Sequence, residues 1–175
     1  LPNVKTTPLA LDAFVTDKAK TLFANNNIYS HSELEARHEI LLEAYIKKVQ
    51  IEARVMGDLS TNYILPSALK YQNVLLENIN GLKRAGLPES DYASQKKILE
   101  KISEHVNKIS DKVTEMIEVR KKVNEITDTR EKAIAYCDQI KTFFDEIRYS
   151  VDKLEFMVDD NLWVLPKYRE LLFLR

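Results

Sequence analysis

The chain has 175 residues, of which 26 are Lys or Arg, 27 Asp or Glu, three Gly, five Pro and one Cys. That length suits one domain over residues 1–175, with a core that needs no disulfide or metal. A net charge of −1 with interspersed signs excludes a broad nucleic-acid-binding stripe, and the absence of any run of ~18 apolar residues excludes a membrane span.

Residues 1–6 read as extended, a cut end without the features of a signal peptide. Thr7 before Pro8 resembles an N-cap with proline at the first helical position, so a helix is predicted over 8–25. It would bury Leu11, Phe14, Val15, Leu22 and Phe23, and Asn25-Asn26-Asn27 would end it. Ser30 and Ser32 are both candidate caps of a second helix over 31–64, with Glu33 and Glu35 three residues beyond them. At 100° per residue, Ile40, Leu41, Ala44, Tyr45, Val49, Ile51, Val55, Met56, Leu59 and Tyr63 share one broad face. Lys48 and Glu52 fall near its middle, four residues apart. Pro66 predicts a kink or break before a continuation over 66–84. Unbroken, this element spans on the order of 75–80 Å.

After Gly86-Leu87-Pro88, a third helix is predicted over 89–126 and a fourth over 129–158. The third carries Ile102, Val106, Ile109, Val113 and Met116 at four-three spacing, with Arg120 next in the series. The fourth carries Ala133, Cys137, Ile140, Phe144, Ile147, Val151, Leu154 and Val158. This is the seam of an antiparallel hairpin. Its turn lies near Thr127-Asp128-Thr129, where Asp128 and Glu131 resemble a capping box. The tail is apolar around Trp163, and a short helix over 166–172 follows Pro166. The expected fold is all-α: a helical bundle with a long heptad-patterned hairpin packed on a long Pro-kinked helix, and short helices at both ends. Residues 162–173 are expected to be docked on the second helix, with Trp163 buried.

The chemistry-bearing residues are sparse. Glu35 and His38 match the Glu-x-x-His spacing of di-iron bundles, but those need a second such pair, and His31 and His105 supply none. A surface or capping role is the plainer reading. Cys137 lies within the heptad stripe and reads as buried filler rather than as a nucleophile. A lone cysteine also fits a reducing compartment. With three glycines, a Gly-rich phosphate loop is excluded. No catalytic, cofactor-binding or metal-ligating residue is assigned.

Four segments carry a family resemblance: LPNVKTTPLALDAFVTDKAK at the start, IKKVQIEARVMGDL and ILPSALKYQNVL in the second helix, and DNLWVLPKYRELLF near the end, with its uncommon Trp163, Pro166 and Tyr168. Together they resemble the C-terminal helical region of type III glutamine synthetases. The resemblance implies a large cytoplasmic ligase that joins ammonia to glutamate using ATP and a divalent metal such as magnesium. It also implies hexameric rings stacked into larger assemblies, and catalytic machinery in domains that this chain does not contain. The implied role is non-catalytic: a structural or assembly domain whose partners are the catalytic domain of the same polypeptide and neighbouring subunits of a homo-oligomer.

On that reading Lys48, Glu52, Arg120 and Trp163 are the structural or interface candidates. The three charged residues would form a polar network, inside the domain or across an interface. The plainer alternative is snorkelling of long stems to water. The rival functions are a free-standing helical adaptor or coiled-coil protein, and a ferritin-like metal-binding bundle.

Overall fold

Helix makes up nearly all of the computed structural model, which describes residues 3–173 apart from the side chain of Tyr168. Leu1 and Pro2 of the opening stretch, and the Tyr168 side chain, lie outside the described residues. The chain is an all-α helical bundle, with no strand among the described residues.

The first predicted helix is divided. Helix α1 (Thr7–Leu11) has Pro8 in its first turn, where a missing N–H costs nothing, and passes into a 3₁₀ segment, Asp12–Val15. Thr16 then adopts an extended conformation and its Oγ1 accepts from the Ala19 N–H at 3.3 Å. That cap restarts the chain as α2 (Asp17–Asn25). A capping threonine in mid-pattern competes with helix continuation, which is why one predicted helix became two. Its apolar residues are also less buried than predicted. Leu22 is exposed, and Leu11, Phe14, Val15 and Phe23 are half-buried. Asn27 takes the left-handed conformation, φ 54°, at the exit.

Ser30 caps the next helix by a reciprocal pair. Its backbone N–H donates to Glu33 Oε2 at 2.7 Å, and its Oγ accepts from the Glu33 N–H at 3.3 Å. Helix α3 (His31–Leu59) leads through a π segment, Ser60–Ile64, into α4 (Leu65–Arg84). Pro66 therefore does not end the helix. The wide turn just before it, in which the Leu65 N–H bonds to the Ser60 carbonyl, accommodates the residue that cannot donate. Buried Ser67 then donates its hydroxyl to the Tyr63 carbonyl at 2.8 Å. Gly86, φ 78°, closes α4, with the Leu87 N–H reaching the Leu82 carbonyl at 3.2 Å.

A 3₁₀ turn, Glu89–Asp91, precedes α5 (Ala93–Asn124). The fourth predicted helix comprises α6 (Thr129–Ala135), a second π segment, Tyr136–Ile140, and α7 (Lys141–Met157). Asp128 caps α6 by accepting from the Glu131 N–H at 2.7 Å. A short α8 (Tyr168–Leu172) lies near the end.

The contacts group the chain into two compact units. The first comprises residues up to 54 together with 116–144. Its core includes Leu34, Leu42, Val49, Ala53, Met116, Val123, Tyr136, Ile140 and Phe143. One buried-edge polar network joins its helices. Gln50 Nε2 donates to Asn124 Oδ1 at 3.2 Å and to the Tyr136 hydroxyl at 3.1 Å, and that hydroxyl donates to Asn124 at 2.6 Å. Because Tyr136 is fully buried, its phenol needs such partners.

The second unit comprises 55–115 together with 145 onward. Its core includes Ile64, Ala68, Leu75, Ile102, Ile109, Val113, Ile147, Leu154 and Trp163. A Cβ added at Gly57 would meet Val113 Cγ1 at 3.7 Å, so α3 and α5 run close there. Gln72 donates to Ser103 Oγ at 2.8 Å, and Lys112 pairs with Glu146 at 2.9 Å.

Two stripes differ from their predicted positions. In the fourth helix the deep residues are Tyr136, Phe143 and Ser150, whereas Cys137, Phe144 and Val151 are half-buried. Ala133, Ile140, Ile147 and Leu154 lie in both versions. A three-then-four series and a four-then-three series share every second member, and apolar content selected the wrong alternate.

In α3 the core face is that of Leu34, Leu42, Val49 and Ala53, while Ile40 and Ile51 on the far side are 63% and 61% exposed. Sequence merged these two faces into one. Lys48 and Glu52 lie between them and are exposed, which removes the internal version of their expected network and leaves the interface version open to them. Charges that stay in water need no buried partner.

Candidate functional site

The clearest polar cluster lies in the first unit. Arg130 holds the Asp12 carboxylate in a fork, with Nε at 2.9 and 3.1 Å and the terminal nitrogen at 2.7 Å. His38 Nε2 lies 3.3 Å from Asp12 Oδ1. The Arg130 guanidinium holds the Asp12 carboxyl below the usual carboxylate range against the opposing effect of burial, and His38 adds to the lowering. Glu35 is engaged elsewhere, by Lys20 at 2.7 Å. The Glu-x-x-His pair thus divides between two partners instead of converging, and no group of three His, Cys, Asp or Glu side chains converges among the described residues.

Cys137 is half-buried beside the Tyr45 hydroxyl. Burial, and then the thiol, push the Tyr45 phenol well above its ordinary range. Cys137 is therefore not the deep filler the pattern suggested, because buried Tyr136 holds that place. His105 sits edge-on to Tyr149 with centroids 6.3 Å apart, and burial pulls its pKa down.

A lysine that sequence reading passed over closes the last turn of α7. Lys167 is buried, and its Nζ donates to the carbonyls of Glu155 and Val158 at 2.8 and 3.3 Å, and also to Asp160. Asp160 is held from the other side by Arg169. Lys167, then Arg169, keep the Asp160 carboxyl below its ordinary value. The Lys167 backbone N–H donates to Glu170 Oε2 at 3.0 Å, starting α8. A cation on the final carbonyls of a helix satisfies both their lone pairs and the local dipole.

Trp163 is 8% exposed, and its backbone N–H donates to the Asp159 carbonyl at 3.1 Å. Arg120 is half-buried on α5. The expectation that all of 162–173 would be docked needs correction: Leu171, Leu172 and Phe173 are exposed, and Phe156 on α7 is 89% exposed. Lys167 anchors the segment, and α8 then turns its apolar residues outward. No helix among the described residues is long and apolar enough to cross a membrane.

Fold and side chains together define an all-helical domain whose special polar groups are spent on structural ties. Comparison with known proteins gives it a family. The glutamine synthetase C-terminal domain family matches residues 1–83. A glutamine synthetase of Bacteroides fragilis (strain YCH46) is 40% identical over 99% of this chain and 24% of its own length. A type-3 glutamine synthetase of Dictyostelium discoideum is 31% identical over 100% of this chain and 24% of its own, and a glutamine synthetase of Butyrivibrio fibrisolvens is 26% identical over 99% and 25%. The chain belongs to the C-terminal domains of type III glutamine synthetases. It spans about a quarter of the length of these relatives.

Proposed function

We propose that this chain is a non-catalytic structural domain of a type III glutamine synthetase. The whole enzyme would form glutamine from glutamate and ammonia with ATP and a divalent metal such as magnesium, in the cytoplasm. The observation that carries this reading is the match along 99% of the chain to only 24% of a glutamine synthetase. Most of such an enzyme is therefore available to hold the chemistry. The side-chain geometry agrees with a structural task. Asp12, Arg130, His38, Gln50, Asn124 and Lys167 bind one another or backbone carbonyls and tie helices together. The partners would be the catalytic part of the same polypeptide and neighbouring subunits of a homo-oligomer, with Lys48, Glu52 and Arg120 as outward or half-buried charges available to them.

The test is an assay of the 175-residue chain beside the longer polypeptide encoded in its reading frame. Glutamine formation is expected from the longer product alone. ATP- and metal-dependent turnover by the carefully purified short chain would sink the proposal, as would an upstream sequence unrelated to a glutamine synthetase.

A further inference from the structure

Phe156 stands out among the exposed apolar residues. Its neighbours two positions away, Leu154 and Val158, are buried, whereas Phe156 is 89% exposed. It lines one groove together with Leu172, beside Lys167 and Arg169. Phe173, 80% exposed, follows directly, and Leu171 is also exposed. Together these two phenylalanines and two leucines offer at most roughly 400–600 Å² of apolar surface, taking ~150–250 Å² for each aromatic side chain. All of it belongs to the second unit.

The chemistry of the groove restricts what can cover it. Lys167 and Arg169 both bind Asp160, and Glu155 lines the same groove, so its two cations face two carboxylates. A charged small molecule would have to displace those pairs, whereas an apolar protein surface would leave them intact at the rim. The area restricts it further. A stable association of separate chains takes about 800 Å² from each partner. The patch falls short of that, so two copies meeting through it alone would bind weakly. It does match one side of an interface between domains of one polypeptide, where both sides together bury about 600–1,500 Å². There the covalent link supplies an effective concentration of order millimolar, and a modest patch suffices. The relatives have such a polypeptide, since the part this chain matches is 24% of their length.

We propose that the Phe156–Leu172–Phe173 patch docks against the remainder of the same glutamine synthetase polypeptide. This rests on the family-based reading above and adds the surface, its anchor residue and its occupant.

Hydroxyl-radical footprinting read by mass spectrometry, on the short chain and on the longer polypeptide, tests it without any substitution. In the short chain Phe156 and Phe173 should oxidise rapidly, and in the longer polypeptide at least ten-fold more slowly. Equal rates in both would overturn the proposal. Protection in the short chain that grows with its concentration would also overturn it, and would make a second copy the occupant. Phe156→Ser provides an independent reading. It should leave the melting temperature of the short chain unchanged, since the side chain is exposed there, and lower that of the longer polypeptide by several degrees. No shift in either would count against docking. Glutamine formation by the longer polypeptide is scored separately. Protection without activity supports docking and defeats the proposed reaction, whereas activity with Phe156 unprotected defeats docking alone.

Discussion

Arg130 grips Asp12 through paired hydrogen bonds, 2.9 and 2.7 Å long, across 118 positions of sequence. This fork fastens the 3₁₀ segment after α1 to the start of α6, and its worth should depend on pH. Because Arg130 and then His38 lower the Asp12 pKa in the folded state, the unfolded chain binds that proton more readily. The stabilisation is therefore complete above the ordinary value of 3.8 and disappears as pH falls through the lowered folded-state value. Asp12→Asn should cost up to about 1 kcal/mol at neutral pH, as befits a partly exposed pair. The gap between variant and parent should close as pH falls well below 3.8. Urea titrations at several pH values would measure it, and a gap independent of pH would show that the carboxylate charge is irrelevant.

The corrected seam of the fourth helix gives a comparison between adjacent residues. Phe143 and Ile147 are buried, whereas Phe144 is half-buried. Alanine at Phe143 or Ile147 should cost about 2–5 kcal/mol by lost burial and cavity formation. Phe144→Ala should cost roughly half as much as Phe143→Ala. Denaturant midpoints decide between the two assignments of the seam, and a larger loss at Phe144 would restore the one drawn from sequence.

Lys167 makes a prediction about the last helix turn. Lys167→Met keeps the stem but removes the donors that satisfy the carbonyls of Glu155 and Val158. The expected loss is about 1–3 kcal/mol, the cost of leaving buried acceptors unmet. Trp163 is the only tryptophan and reports the event. Its emission should be blue-shifted and shielded from a soluble quencher in the parent chain, and more open to quenching in the variant. Identical quenching would show that the tail is held without the lysine.

Two glycines, one inside α4 and one just past its end, should respond with opposite signs. Gly81 lies within α4 and nothing stands within 4 Å of an added Cβ, so Gly81→Ala should stabilise by about 0.4–1 kcal/mol. Gly86 is equally open but has φ 78° at the helix exit, so Gly86→Ala should destabilise by about 1–2 kcal/mol. Thermal melts of the two variants are sufficient, and the same sign for both would mean that backbone strain at the cap is absent.

Local chemistry made much of this chain legible without a structure. Ser30 and Asp128 cap helices because their side chains meet orphan N–H groups three residues on, and the Asn25-Asn26-Asn27 exit follows from what asparagine tolerates. The long apolar periods fixed the helical class, and the burial of Trp163 was anticipated from the apolar tail around it. Those signals act over a few residues, so they can be read in order along the chain. Tertiary packing decided everything that compares one face with another. It turned Ile40 and Ile51 outward and left Lys48 and Glu52 in water. It also chose Tyr136 and Phe143 over Cys137 and Phe144, and paired Asp12 with Arg130. Period alone gives a stripe its spacing, but which neighbour it meets depends on residues tens of positions away. A helix crossed by a π turn also shifts its phase in a way that no fixed 100° step can follow.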